Sequence, residues 1–268
     1  MADRYTYSDL LAAYSAVGVR RGALVFVTSD LVRLMQYEEA GASALLAAHL
    51  RAFRELLGPE GTLFVPTSSL DLCNTDRVFD PLVTPSFQMG AFSEYVRTRE
   101  GAVRSFHPFW SIAGLGPAAE TMLGDVSRHA YGWNSVFQRF VEADVLAVAV
   151  GKHPRLAIPV IHHIETVAGV PYRYNKEFNQ YVRRNNKIER EPFYLSVLHR
   201  DSDLVRDGNR TILHHFVDQC GPMREAVIGR GQAWSYSHKA FFDTTVRLLA
   251  ENPYSWLERP PTERPWQS

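Results

Sequence analysis

Three short apolar runs decide the fold class. Ala23–Val27 (ALVFV), Thr62–Val65 (TLFV) and Val145–Val150 (VLAVAV) are continuous hydrophobic stretches, closed in turn by Thr28-Ser29-Asp30, by Pro66 and by Gly151. Runs of this length bounded by turn residues predict strands buried on both faces, as in a layered α/β sheet. The segments between them carry a helical period instead. Tyr7–Val17, with Ser8 as candidate cap and Gly18 beyond it, and Glu39–Leu57, stopped by Gly58-Pro59, predict a helix before each of the first two strands. Helix, strand, helix, strand predicts an α/β domain with its sheet flanked by helices.

Further along, Leu70–Met89 turns to Asp, Asn, Pro and Thr without periodicity, which predicts a long ordered loop of the kind that often carries function. Gly90–Arg99 predicts a short amphipathic helix, Ala102–Gly116 extended segments around His107-Pro108, and Pro117–Leu123 a helix start. Val160–Ala168 predicts a short helix ended by Gly169, and Phe241–Leu249 a last helix. The chain reads as a single domain over 1–268. Its end, 258–268, with Pro260, Pro261 and Pro265, is expected to be a loose tail.

Composition matters where it excludes functions. Lys plus Arg number 29 and Asp plus Glu number 29, a formal charge of zero that argues against a nucleic-acid-binding surface. The longest strongly apolar run, Val145–Gly151, falls far short of the ~20 residues of a membrane span. Two cysteines, Cys73 and Cys220, make no disulfide framework, and a cytoplasmic location is expected. The neutral total conceals one local departure. Between Tyr172 and Arg190, six cations (Arg173, Lys176, Arg183, Arg184, Lys187 and Arg190) face only Glu177 and Glu189, with aromatic residues interleaved.

His162 and Glu165 stand three apart in the helix after the clearest strand and therefore share a face. A carboxylate beside an imidazole fixes its tautomer, the arrangement a general base requires; a satisfied structural histidine is the bland alternative. His163, about 100° away around the helix, reads as structural. Thr28-Ser29-Asp30 and Thr67-Ser68-Ser69 place hydroxyls and turn amides at strand ends, where α/β proteins bind ligands, or they merely cap the next element of the chain. Arg104-Ser105-Phe106-His107-Pro108 adds a cation and a turn histidine. Cys73 reads as an ordinary thiol rather than an acyl carrier. The usual nucleotide, P-loop, esterase and zincin motifs are absent, and no metal centre is expected.

Four ordered segments resemble the aminoglycoside 3-N-acetyltransferase family, the antibiotic N-acetyltransferases that are distinct from the GNAT enzymes. They are GPEGTLFVPT (Gly58–Thr67), FDPLVTPS (Phe79–Ser86), MGAFSEYVRTREGAVRSFHP (Met89–Pro108) and IHHIETVAGVPYR (Ile161–Arg173). The resemblance implies that family's α/β fold, acetyl-CoA as co-substrate, and His162 as general base oriented by Glu165, acting on a small-molecule amine in a ternary complex. It implies that Thr28, Ser29, Asp30 and Leu31, with Arg104, Ser105, His107 and Pro108, lie at the coenzyme, and that Thr67 and Asp80 lie near the acceptor or support the catalytic pair. The family carries His-Ser-Ser-Leu where this chain has Thr28-Ser29-Asp30-Leu31, a departure that bears on the coenzyme contacts.

The basic, aromatic stretch after the catalytic helix suggests an acceptor bearing phosphate, carboxylate or a nucleotide, with Tyr172, Tyr174 or Phe178 stacking and Arg173, Lys176 or Arg183 pairing. An aminoglycoside acceptor with antibiotic resistance, a hydrolase, and a non-catalytic homologue are the alternatives. No nucleic-acid or membrane partner is expected, and the protein is expected to be a monomer or homodimer.

Overall fold

The computed structural model describes residues 4–34, 36–153, 158–206, 211–220 and 223–267. The three apolar runs are the strands β1 (Leu24–Ser29), β2 (Thr62–Pro66) and β5 (Leu146–Val150). They are parallel neighbours in the order β2-β1-β5. Antiparallel strands extend this centre on both sides: β4 (Ile112–Leu115) and β3 (Val103–Arg104) beyond β2, β9 (Gly231–Ser237) and β8 (Arg224–Ile228) beyond β5. The expected α/β class is therefore the observed one, with a mixed rather than purely parallel sheet.

Period-two alternation sorts the strand side chains into two cores. Val25, Val27, Leu63, Val65, Val148 and Val150 face one layer, with α1 (Tyr7–Ala16), α2 (Ala42–Leu57) and α3 (Ala91–Arg97). Phe26, Phe64 and Ala147 face the other, with α4 (Ala119–Leu123), α5 (Val136–Glu142), α6 (Val160–Ala168) and α8 (His238–Glu251). Burial on both faces is why these runs are apolar throughout. A further helix, α7 (Thr211–Cys220), packs on α8.

Local signals are refined at the caps. The cap of α1 is Thr6, not Ser8: Thr6 Oγ1 accepts from Asp9 N–H while the Asp9 carboxylate accepts from Thr6 N–H. The helix expected from Glu39 begins at Ala42 and stops at Gly58. Helix α6 ends where expected, at Gly169 in the left-handed region, φ 65°.

The basic stretch forms half of a separate two-stranded ribbon, β6 (Arg173–Arg184) paired antiparallel with β7 (Lys187–Leu198). The tail is not loose. Asp203 accepts hydrogen bonds from Thr262 N–H (2.8 Å), Thr262 Oγ1 (3.0 Å) and Glu263 N–H (3.0 Å), and Trp266 packs against the core. Apolar and capping contacts formed with residues some sixty positions upstream hold a segment whose proline content suggested none.

Candidate active site

Strand β1 connects to β2 on one side and pairs with β5 on the other, so a crevice opens at the carboxyl ends of β1 and β5, where α/β sheets reverse strand order. A cavity of about 250 Å³ occupies this place. Phe26 and Thr28 of β1, Pro66 at the end of β2, Ser68 beyond it, Lys152 after β5 and His162 of α6 line it, along with Trp110, Arg206 and Trp256. A second cavity, about 350 Å³, shares Gln88 and Lys152 with it and is lined by Ser29, Asp30 and Leu31. The turn expected at the coenzyme thus borders both chambers.

His162 and Glu165 meet as their spacing requires: Nδ1 lies 2.9 Å from Oε2. The carboxylate side chain is wholly buried, whereas the imidazole is 21% exposed at the cavity wall. Glu165 has two further partners. Tyr172 Oη donates to Oε1 at 2.9 Å, and Arg173 Nε forms a charge pair with Oε2 at 2.7 Å. Burial would raise the carboxyl pKa, but the His162 hydrogen bond and the Arg173 charge outweigh it and hold Glu165 below the usual range. Burial lowers the pKa of His162, the adjacent Glu165 raises it, and Arg173 lowers it; the net direction is down. With Nδ1–H given to Glu165, Nε2 of the neutral ring is the free acceptor. His163, as its position on the helix suggested, is a packing residue: 2% exposed, its Nδ1 accepts from Gly132 N–H at 3.1 Å.

The other expected site residues divide sharply. Thr28 lines the main cavity and its buried Oγ1 has no protein partner among the described residues. Asp30 pairs with Arg33 Nε at 2.9 Å, so the turn carries its own counter-charge to the carboxylate that departs from the family pattern. Arg104, Ser105, His107 and Pro108 do not line the cavity. Arg104 is held by Ser111 Oγ, Ser69 Oγ and the carbonyls of Thr67 and Thr84. Ser105 Oγ accepts from Ile112 N–H, and His107 Nδ1 from Trp110 N–H. Thr67 is buried beside Ser111, and Asp80 Oδ2 pairs with Arg183 Nε at 3.0 Å. Tyr174 and Lys176 are exposed on the ribbon, Lys176 lying over its own Phe178.

Tyr172, Arg173 and Arg183, expected to stack on or pair with an anionic acceptor, each have a protein partner. Their partners are Glu165, Glu165 and Asp80, and Arg184 likewise pairs with Glu191 at 3.3 Å. Chain folding brings in carboxylates that the local window did not contain. Sequence reasoning missed Lys152 and Arg206. Lys152 follows the clearest strand directly, so the strand-end rule that singled out Thr28 would have found it; Arg206 lies in a segment without pattern.

Cys73 is half-buried and does not line the cavity; burial, with the Asp71 charge, pushes its thiol up to about 11. Among the described residues there is no cluster of His, Cys, Asp or Glu able to hold a metal, and no helix long and apolar enough to cross a membrane.

The family model for aminoglycoside 3-N-acetyltransferase matches residues 26–250. Aminoglycoside N(3)-acetyltransferase III from a Salmonella species is 27% identical over 92% of each chain. Among solved structures, apo aminoglycoside acetyltransferase AAC(3)-IVa superposes with a TM-score of 0.77 at 23% identity, covering 97% of this chain and 94% of its own. AAC-IIIb, solved as a binary complex with CoASH, gives 0.78 at 21%, covering 93% and 97%. The fold is thus shared along nearly the whole length, and the chain belongs to the aminoglycoside 3-N-acetyltransferase family, a family of acetyl-CoA-dependent N-acetyltransferases.

Proposed function

We propose that the protein transfers the acetyl group of acetyl-CoA to an amine of a small molecule in a ternary complex, with His162 as general base. The observation that carries this is the Nδ1–Oε2 contact of 2.9 Å on a histidine at the cavity wall. An amine attacks a thioester only through its lone pair. His162 Nε2 takes a proton from the attacking nitrogen as the N–C bond forms, an effect typically worth ~10²–10⁴-fold. The resulting imidazolium keeps its Nδ1–H on Glu165. The tetrahedral intermediate then collapses, the C–S bond breaks, and the proton held on Nε2 goes to the departing CoA thiolate. Thr28 Oγ1, buried at the cavity without a partner among the described residues, is the available hydroxyl donor for the developing oxyanion.

For the acceptor, the cavity wall supports an anionic amine, though not through the ribbon residues. Lys152 and Arg206 line the cavity, and no carboxylate does among the described residues. A polycation losing water there would meet like charge, whereas a phosphate or carboxylate on the acceptor would be paired. The competing acceptor is an aminoglycoside, the substrate class in the names of the relatives. The test is thiol release from acetyl-CoA with a panel of gentamicin-type amines and of phosphate- or nucleotide-bearing amino sugars. The expected result is turnover of the anionic class, abolished in His162→Ala and weakened in acceptor KM by Lys152→Ala. Efficient acetylation of gentamicin-type amines alone would overturn the acceptor assignment, and full activity of His162→Ala would overturn the base. Thiol release without any acceptor would instead identify a hydrolase.

A further inference from the structure

Resting on the assignment of His162 as base, we propose that Tyr172 and Arg173 are positioning residues that clamp Glu165, and through it His162, rather than groups that bind the acceptor. The clamp follows from how the chain leaves α6. Gly169, in the left-handed conformation, reverses the backbone, and Val170 N–H returns a hydrogen bond to the Glu165 carbonyl at 3.2 Å. Residues seven and eight positions beyond Glu165 are thereby brought back over its side chain. Tyr172, fully buried, donates to Oε1, and Arg173, whose side chain is 6% exposed, stands at Oε2. Arg173 is itself fixed by Nη1, which donates to the Ser196 carbonyl of β7 at 2.9 Å. The ribbon is therefore fastened to Glu165 at its base, and farther out to Phe79, whose N–H donates to the Tyr181 carbonyl.

The arrangement has an electrostatic consequence. A buried carboxylate beside His162 would by itself favour the imidazolium, which has no lone pair with which to accept the amine proton. Arg173 cancels that charge, so Glu165 orients the ring without trapping it protonated. The charged and titratable groups facing His162 are Glu165 from its own helix, Arg173 from β6, Tyr172 from the preceding turn, Tyr131 against the ring at 5.5 Å, and Arg206 with Lys152 across the cavity. Only Glu165 is acidic near neutral pH. Loss of Arg173 and loss of the Glu165 charge must therefore move the titration of His162 in opposite directions.

The test is the pH profile of kcat/KM, which reports the free enzyme, for wild type, Arg173→Met, Arg173→Lys, Glu165→Gln and Tyr172→Phe. Arg173→Met is expected to move the acid limb to higher pH by about one pH unit and to lower kcat about 10–100-fold. Glu165→Gln is expected to move the limb to lower pH, and Arg173→Lys to restore its position. Tyr172→Phe, which removes one hydroxyl and preserves the fold, is expected to lower kcat about tenfold at unchanged acceptor KM. An unmoved limb with a raised acceptor KM in Arg173→Met overturns the clamp in favour of acceptor binding. Should Arg173→Met not fold, wild-type kcat in Tyr172→Phe overturns it equally. Wild-type turnover by His162→Ala would instead remove the base on which the clamp rests, a distinct outcome.

Discussion

Lowering the pH from 7 to 5 is expected to remove most of this protein's stability, because four histidines are buried in forms that resist protonation. His107 and His163 each accept a backbone N–H at Nδ1, from Trp110 and Gly132, and a protonated ring would set hydrogen against hydrogen. His238 is fully buried, with Nδ1 at the Val145 carbonyl and Nε2 without a partner among the described residues, so protonation would bury an N–H that none of them accepts. His49 lies fully buried between the hydroxyls of Tyr5 and Tyr14. Burial lowers His107, His163 and His238 to about 4 and His49 to about 3. A base depressed in the folded state contributes stability that is complete above its unfolded value, near 6.5, and is lost as the pH falls toward the folded value.

Between pH 7 and 5 each ring titrating near 4 loses about 2 kcal/mol, and the four together lose about 7 to 8 kcal/mol. A ring titrating at 5 would still lose about 1.5 kcal/mol, so the outcome depends on burial rather than its depth. Against a total of ~5–15 kcal/mol, this is most of the stability. The carboxylates do not confound the window. Glu94, lowered to about 2 by Arg97 and Ser86 against the raising effect of burial, and Glu165, also lowered, lose their contributions only below the unfolded carboxylate value of about 4.3. Urea unfolding followed by far-UV circular dichroism at pH 7, 6 and 5 and constant ionic strength measures this. The midpoint should fall by about half or more by pH 5. A midpoint at pH 5 within about 10% of that at pH 7 would refute the reasoning.

Gly151, at φ 67°, closes β5 where a Cβ would stand 2.2 Å from the Asp30 carbonyl; Gly151→Ala should lose about 2 to 4 kcal/mol and raise the KM for acetyl-CoA, read by urea unfolding and thiol release. Cys73→Ala should leave kcat within about twofold and no acetyl-enzyme should accumulate by mass spectrometry, because the thiol stays protonated at neutral pH. Removal of residues 258–268 should lower the melting temperature by about 4 to 8 °C, since Trp266 packs on the core and Asp203 loses its partners; an unchanged melting curve would restore the loose tail.

What was legible in the sequence was what is local. Central strands show as apolar runs because both faces are covered, and the His162–Glu165 contact follows from a three-residue spacing on a helix whose end Gly169 marks. Strands β8 (REAVI) and β9 (GQAWSYS) were not legible: they mix polar with apolar residues, and they are set by pairing, β9 with β5 some eighty residues earlier and β8, at the sheet edge, with β9. Arg104 illustrates the same limit. Its motif position implied a coenzyme contact, yet its guanidinium is occupied by acceptors at Thr67, Ser69, Thr84 and Ser111, which only the folded chain assembles.

Charge was the property most distorted by reading along the chain. The cations of the ribbon looked free because they outnumber the acids near them in sequence; Arg173, Arg183 and Arg184 find Glu165, Asp80 and Glu191 in space. These pairs account for half of the ribbon's six cations, while Lys176, Lys187 and Arg190 stay exposed. Lys152, by contrast, is an isolated cation in the sequence, follows an apolar strand, and ends half-buried at the junction of two cavities, where desolvation lowers its pKa and the Asp30 charge opposes that fall. A cation so placed is partly stripped of water before any ligand arrives. An anionic group entering there recovers interaction energy that an exposed ribbon lysine, already solvated, would not supply. Lys152 and Arg206 therefore place positive charge on the wall of the cavity that His162 also lines.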